Sequence, residues 1–446
     1  MKQLSIFKSK KNDIFKIISS MMIISMLGKF LGLIREILFA KKFGAQSIAG
    51  TAFIYASSIP NYFFDIMFAS SINSSFVPIF NKKLENKNNK EAFKLFNNFL
   101  NILIIISIFI ILLSILFSSK IINFLATGLD LKTQVLSSQL IKITSPSILF
   151  SVLAFSVTGF LQTFNEFNIP SSTSIVFNLT IIFYYLFFIE KFGVFGLAWS
   201  SLFAWSLQFL IQIPFLKKYE YKHRFYINFK SKDIKNIFKS ILPIMISSWI
   251  TPINNLINAR AASYINGGGV ALQKANSIYT ISAGTFILSI NNYVFQKLSK
   301  IKVKNNHKEF DKFLFNAIKI TSLFSILILV FLLIFSRSII KILFEHGNFN
   351  SHDTGLTSRA LFYYSWGIFG YAIQTILNSA FYSQRKLFIP LISSIISFLI
   401  NFILSFKLLK ILDIGGPAFS FSVSSVISML FSLIFYLSFY KNQRKL

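Results

Sequence analysis

Lys29, Arg35 and Glu36 lie inside an apolar run that extends from about residue 14 to residue 42. A charge at membrane depth is costly unless it faces a polar cavity or a partner. In an ideal helix Lys29 and Arg35 are about 120° apart, and Lys29 and Glu36 share a face. Both cations can therefore line one broad cavity. Two other arrangements use the same residues: Arg35 neutralised beside Glu36, or side chains that snorkel to the headgroups. Gly28 and Gly32 form a small-xxx-small pair that permits close helix approach or local bending.

Other candidates lie further along. In the second apolar run Asn61 follows Pro60, where proline removes a backbone donor and frees a carbonyl. Broken helices at membrane depth commonly line a substrate path, although a kink can also serve packing alone. Asp65 is the one acid of that run. In the second half, Arg260 has no carboxylate near it in sequence and points either into a central cavity or to outer headgroups. Lys274 follows the Gly267-Gly268-Gly269 turn and is expected to snorkel. Arg359 has Asp353 two turns earlier, which suggests a structural pairing. His346 and His352 share a loop with Glu345 and Asp353, but no close-pair spacing fixes metal ligands, so a solvated polar loop is expected. There is no nucleotide-binding glycine loop, nucleophile elbow or zinc helix motif. Cysteine is absent, which excludes disulfides and thiolate sites. Binding and translocation, with no cofactor, are expected here in place of catalysis.

These residues need helices to carry them. The 446-residue chain is 54% hydrophobic, with a mean hydropathy of +0.63, more apolar surface than a soluble domain of this size can bury. Apolar runs recur at lengths that cross a hydrocarbon core of about 30 Å. They are continuous and do not alternate, so helices are expected and a barrel is not. Twelve spans are predicted at about 14 to 42, 48 to 80, 91 to 118, 134 to 163, 169 to 189, 194 to 216, 235 to 264, 270 to 298, 309 to 336, 354 to 383, 387 to 411 and 416 to 440. No small-residue cleavage site follows the first run, which predicts a retained span and not a signal peptide.

A net charge of +30 would suggest nucleic acid in a soluble protein, but the cations crowd into alternate connections, so no nucleic acid is expected. Lys82, Lys83, Lys87 and Lys90 lie in the second; Lys217, Lys218, Lys222, Arg224, Lys230 and Lys232 in the sixth; Lys300, Lys302, Lys304 and Lys308 in the eighth. With Lys2, Lys8, Lys10 and Lys11 at the start and Lys441, Arg444 and Lys445 at the end, they place both termini in the cytoplasm. Sliding the chain on itself also reveals a repeat. Ile169-Pro170 matches Ile389-Pro390, and Gly196-Leu197-Ala198-Trp199-Ser200 matches Gly416-Pro417-Ala418-Phe419-Ser420. The expected architecture is all-α integral membrane, with two parallel six-helix halves, residues 1–218 and 219–446, around a central cavity. Transporters built from such repeats hold substrate between the halves and rock them.

The ordered set Gly32-Leu33-Ile34-Arg35-Glu36, Phe43-Gly44-Ala45, Ala52-Phe53, Ile59-Pro60-Asn61, Phe68-Ala69 and Ser75-Phe76-Val77-Pro78-Ile79-Phe80 resembles the first two helices of the MurJ/MviN family of lipid II flippases. Thr357-Ser358-Arg359-Ala360 continues the likeness, which covers most of the chain. The resemblance implies a multi-pass protein of the bacterial inner membrane. It would flip the undecaprenyl-pyrophosphate-linked peptidoglycan precursor to the outer leaflet through alternating access driven by the membrane potential. Membrane lipids and cell-wall synthesis proteins are the further partners it implies. The substrate-binding set carried forward is Lys29, Arg35, Glu36, Asn61, Arg260 and Lys274. Some family charges are replaced: an acid of the second helix falls on Thr51, an arginine near Phe64 and Asp65, and an arginine and an acid of the eighth helix on Ser277 and Thr280. Two further C-terminal helices of many members lie beyond the twelve seen here. The alternatives are a cation-coupled multidrug exporter of the same superfamily and a non-transporting envelope scaffold.

Overall fold

In lipid, only a helix or a closed barrel satisfies every backbone N–H and C=O, and the computed structural model is helical with no strand among its described residues. Described are residues 2–67, 71–85, 89–303 and 306–440, with side chains at 20–62, 76–84, 89–239, 252–284, 287, 290–302 and 306–438. Phe68, Ala69, Lys87, Lys304 and the tail cations lie outside them, as do the side chains of Lys2, Lys8, Lys10, Lys11, Phe64, Asp65 and Ser75.

The helices in order are α1 (Lys2–Phe43), α2 (Ile48–Met67), α3 (Ser71–Glu85), α4 (Asn89–Leu116), α5 (Ser118–Leu125), α6 (Leu131–Thr144), α7 (Ser147–Thr163), α8 (Asn168–Phe187) and α9 (Ile189–Leu210). There follow α10 (Ile213–Lys218), α11 (Lys232–Ala262), α12 (Gly268–Val303), α13 (His307–Phe344), α14 (Ser351–Ser365), α15 (Gly367–Ser383), α16 (Phe388–Leu412) and α17 (Gly415–Phe435). Among the described residues α4, α8, α9 with α10, α13, α16 and α17 are long and apolar enough to cross a bilayer, and α6 with α7, bent by 41°, is so when taken as a pair. The other five predicted spans fall on α1, α2 with α3, α11, α12, and α14 with α15, whose runs carry more polar residues. The protein is thus an all-helical membrane protein of about twelve spans.

One local expectation changes. The second span is not interrupted at Pro60: α2 runs through it to Met67, with Pro60 inside the helix. The missing proline donor costs a hydrogen bond, but the backbone continues helical.

The chain folds as two compact units. The first comprises residues 1–39, 52–122 and 134–248, and the second residues 40–51, 123–133 and 249–446. Within the first, even-numbered connections meet. Lys83 pairs with Asp233 at 2.9 Å and with Glu91 at 3.6 Å, and Glu166 accepts from Lys218 and Tyr219. Within the second, odd-numbered connections meet. Gly128 N–H donates to Ser263 Oγ at 3.0 Å, and Asn348 N–H donates to the Lys41 carbonyl at 2.9 Å. Repeated crossing of a bilayer produces this sorting of odd from even.

Buried polar side chains fasten the helices inside each unit, as they must where lipid offers no partner. In the first, Asn178 Nδ2 donates to the Gly28 carbonyl at 3.0 Å. In the second, Asn401 Nδ2 donates to Asn254 Oδ1 at 3.1 Å, Ser405 to Asn258 Oδ1 at 3.3 Å, and Ser420 to Asn401 Oδ1 at 2.9 Å. An asparagine of α8 and one of α16 thus do the same work on α1 and α11.

Candidate functional site

The glycine pair of α1 is where α8 crosses. A Cβ on Gly28 would stand 2.2 Å from Ser174 Oγ and 3.3 Å from Ser174 Cβ, and one on Gly32 would stand 3.5 Å from Asn178 Nδ2. Close approach lets the Asn178 amide reach the α1 backbone and fixes the rotation of the helix that bears the charges. Gly28→Ala should then be mild, since the serine hydroxyl can rotate, whereas Gly28→Leu should destabilise by about 1–3 kcal/mol through overpacking. Thermal unfolding in lipid nanodiscs checks this; equal stability of the two variants would show that the crossing is loose.

Beyond the crossing, Arg35 Nη2 donates to Glu36 Oε1 at 2.6 Å, with side chains 29% and 15% exposed. The guanidinium carbon stands 5.4 Å from the Phe177 ring centroid, a cation–π distance. Buried Tyr185 lies within electrostatic reach of both charges. The local neutralisation left open by the sequence is therefore present. It engages one of the five N–H donors that an arginine carries, and the side chain keeps some exposure. Lys29 is exposed. Phe177, Asn178 and Tyr185 were not identified from sequence. Asn178, a polar residue within a predicted span, carried the signal of a buried partner; the two aromatics carried none. Asn61 is exposed beside buried Pro60, and the structure brings no other candidate to it among the described contacts.

In the second unit, Arg260 closes α11 with its guanidinium carbon 5.2 Å from the Phe124 ring centroid. Its Nε is buried with no hydrogen-bond partner. Phe124 lies on the short segment 123–133, so pairing it with Arg260 was beyond any sequence pattern. Lys274 corrects the expectation of snorkelling: it is 1% exposed, and a snorkelling amine would be open to solvent. Ser277 spends its hydroxyl on the Gln273 carbonyl of its own helix at 3.0 Å, and Thr280 is exposed.

The loop around Asp353 is also more ordered than expected. Asp353 is 1% exposed, completes a capping box with Asn350, and accepts from Ala45 N–H at 2.9 Å and Gln46 Nε2 at 3.0 Å. It is a clasp, not a solvated acid. His352 Nδ1 meets Gln46 Nε2 at 2.8 Å, and Glu345 accepts from Thr354. No group of three or more potential metal ligands occurs among the described residues. Arg359 does not pair with Asp353; its partner is Asp413 at 3.7 Å, since the Asp353 carboxylate is already occupied.

Comparison with known proteins shows the family of the chain. A family model described as lipid II flippase MurJ matches residues 39–444. The probable lipid II flippase MurJ of Buchnera aphidicola subsp. Acyrthosiphon pisum is 30% identical over 428 residues, 94% of this chain and 83% of the relative. The lipid II flippase MurJ of Thermosipho africanus is 30% identical over 410 residues, 92% of this chain and 83% of the relative. A solved lipid II flippase MurJ in an inward closed conformation superposes with a TM-score of 0.80 at 28% identity, over 93% of this chain and 86% of that one. An inward-facing MATE transporter of the MOP superfamily also reaches 0.80, at 15% identity over 96% and 98%, which is a likeness of fold alone.

Proposed function

The chain belongs to the MurJ family of lipid II flippases, and on that premise we propose that it carries the lipid-linked peptidoglycan precursor from the inner to the outer leaflet by alternating access. One observation about the site carries the reading: Arg35 lies within the first span, with Glu36 on one donor and its guanidinium over the Phe177 ring. A guanidinium with one donor on a carboxylate keeps others for a pyrophosphate, which its planar fork can bind bidentately. Lys29 supplies a second cation from the same helix. Phe177, Asn178 and Tyr185 position the first-span charges and need not touch the substrate. Cation-coupled export would require an available embedded carboxylate; of the two in the first two spans, Glu36 is engaged by Arg35, and the side chain of Asp65 lies outside the described residues. Growth of bacteria depleted of their own lipid II flippase, supported by this chain, tests the assignment. A stably inserted protein that fails to sustain growth would count against it.

In this reading the two halves, residues 1–218 and 219–446, rock about a central cavity in the inner membrane, with both termini cytoplasmic. A cysteine placed at Lys230 in this cysteine-free chain should react with an impermeant thiol reagent from the cytoplasmic side alone. Labelling from the outside would reverse the orientation.

The second half is proposed to contribute Arg260, which assumes part of the role that the family pattern would give to an arginine at Ser277. Differential contact with both halves is what lets a substrate shift an alternating-access equilibrium. Arg260→Ala should slow translocation about tenfold, which corresponds to one charge-assisted hydrogen bond, and adding Ser277→Arg should restore part of the rate. Translocation unchanged in Arg260→Ala would remove this residue from the site.

A further inference from the structure

We propose that residues 221–230 form a strap for anionic lipid, which sets Phe225 and Phe229 in the bilayer interface and Lys222, Arg224 and Lys230 against phospholipid phosphates. The segment lacks helix from Tyr221 to Asn228, yet it is held firmly within the first unit. Three buried asparagines of α4 bind it like a strand. Asn97 Oδ1 accepts from Tyr221 O–H and from Arg224 N–H. Asn101 Nδ2 donates to the Arg224 and Tyr226 carbonyls at 3.1 and 3.2 Å. Asn98 exchanges two bonds with the backbone of Asn228, at 2.7 and 3.0 Å. A connection whose only task was to join two helices would not require three buried amides, each of which must find partners.

The pinning sets the depth of the segment. In α4 the charged residues Lys90, Glu91 and Lys94 lie before the asparagines, and after Asn101 the helix is apolar to Leu116 apart from Ser107 and Ser114. Asn101 therefore marks the polar-to-apolar boundary, and its bonds fix Arg224 and Tyr226 at that level. Between them Phe225 is 80% exposed, and Phe229 is 58% exposed. Lys94 Nζ lies 4.7 Å from the Tyr226 ring centroid and supports the strap from beneath. Aromatic side chains at such a boundary belong to the interfacial belt. Lys222, Arg224 and Lys230 are exposed, and no carboxylate occurs from Tyr221 to Lys232. Charge and depth together select a phosphate-bearing lipid surface over a soluble acidic protein, which would not explain the two phenylalanines at the membrane boundary.

The inference is independent of what the chain transports, and its test contains no substrate. Phe229→Cys, in a chain with no other cysteine, is labelled with a polarity-sensitive fluorophore. The full-length protein is reconstituted in vesicles of phosphatidylcholine alone or with phosphatidylglycerol. Phosphatidylglycerol should shift emission to the blue and increase quenching by brominated acyl chains, and 1 M salt, where the Debye length is about 3 Å, should reverse both. Replacing Lys222, Arg224 and Lys230 by Gln should weaken the surface association about fivefold per cation and leave the phosphatidylcholine signal unchanged. The variant Asn101→Ala should lose the lipid contact with its cations intact, which separates pinning from charge. Solvent-like emission in both lipids would overturn the proposal, as the face would then be open to water or to another partner. An equally apolar signal in both would overturn the headgroup assignment.

Discussion

Arg35→Ala should lower lipid II translocation at least about thirtyfold while the protein still inserts and remains folded. The side chain pairs with Glu36, and its guanidinium carbon lies over the Phe177 ring. Its removal leaves the Glu36 carboxylate, 15% exposed, without its close cation, and a substrate phosphate would then meet a site whose positive charge has fallen by one. Loss of one member of a desolvated, hydrogen-bonded charge pair costs about 2–5 kcal/mol, so translocation should fall at least about thirtyfold. Arg35→Lys should recover only part of this, since an ammonium lacks the fork that binds a carboxylate and a phosphate together. The double variant Arg35→Ala/Glu36→Gln distinguishes electrostatic from direct contact. If the cost arises only from the carboxylate that has lost Arg35, activity returns; if Arg35 grips the substrate, it does not, and the second result is expected. Translocation by Arg35→Ala at the wild-type rate, at equal protein level, would remove α1 from the substrate path.

The second large effect is on stability. Asp353→Ala should destabilise the second unit by about 3 kcal/mol or more, because hydrogen bonds to a charged group contribute about 1.5–3 kcal/mol each and the carboxylate accepts from both Ala45 and Gln46. The reciprocal arm of the capping box, from Asn350 N–H at 3.4 Å, is lost as well, while the Asn350 side chain still caps the helix. Backbone geometry gives an independent route to the same clasp. Gly44 has φ of +65°, and a Cβ there would stand 2.4 Å from the Asn348 carbonyl; Gly347 has φ of +63°, with the Lys41 carbonyl at 2.5 Å. Gly44→Ala should therefore destabilise comparably with every charge of the clasp retained. Thermal unfolding in nanodiscs measures both. An Asp353→Ala protein within about 0.5 kcal/mol of wild type, the range of ordinary surface substitutions, would show that the clasp contributes little.

The clasp also shows where sequence reading ran short. Hydropathy located twelve segments, and each falls on a helix or a broken pair, since length and apolarity are read directly from composition along the chain. Pro60 misled, because a proline inside a helix costs a donor without necessarily ending it. Charges were harder. Arg35 and Glu36 are adjacent, so their pairing was among the foreseeable arrangements. Asp353, by contrast, meets Ala45 and Gln46 from the far end of the sequence, and no local spacing announces such a contact. Lys274 was misjudged for a related reason: nearness to a glycine turn suggested the interface, while burial is decided by helices that pack around it. Phe177 and Phe124, the rings beneath the two arginines, belong to a chain with 56 phenylalanines, among which no single one stands out.

The most direct measurement is of the transport step itself. Purified full-length protein is reconstituted into sealed vesicles that contain lipid II in the inner leaflet only, with a membrane potential imposed, and the headgroup is detected from outside with an impermeant reagent. The expected result is time-dependent exposure of lipid II, faster than in protein-free vesicles, absent for a phospholipid without the pyrophosphate-linked sugar, and strongly reduced in Arg35→Ala. No exposure above protein-free vesicles from a folded, correctly oriented protein, or equal exposure with Arg35→Ala, would contradict the account.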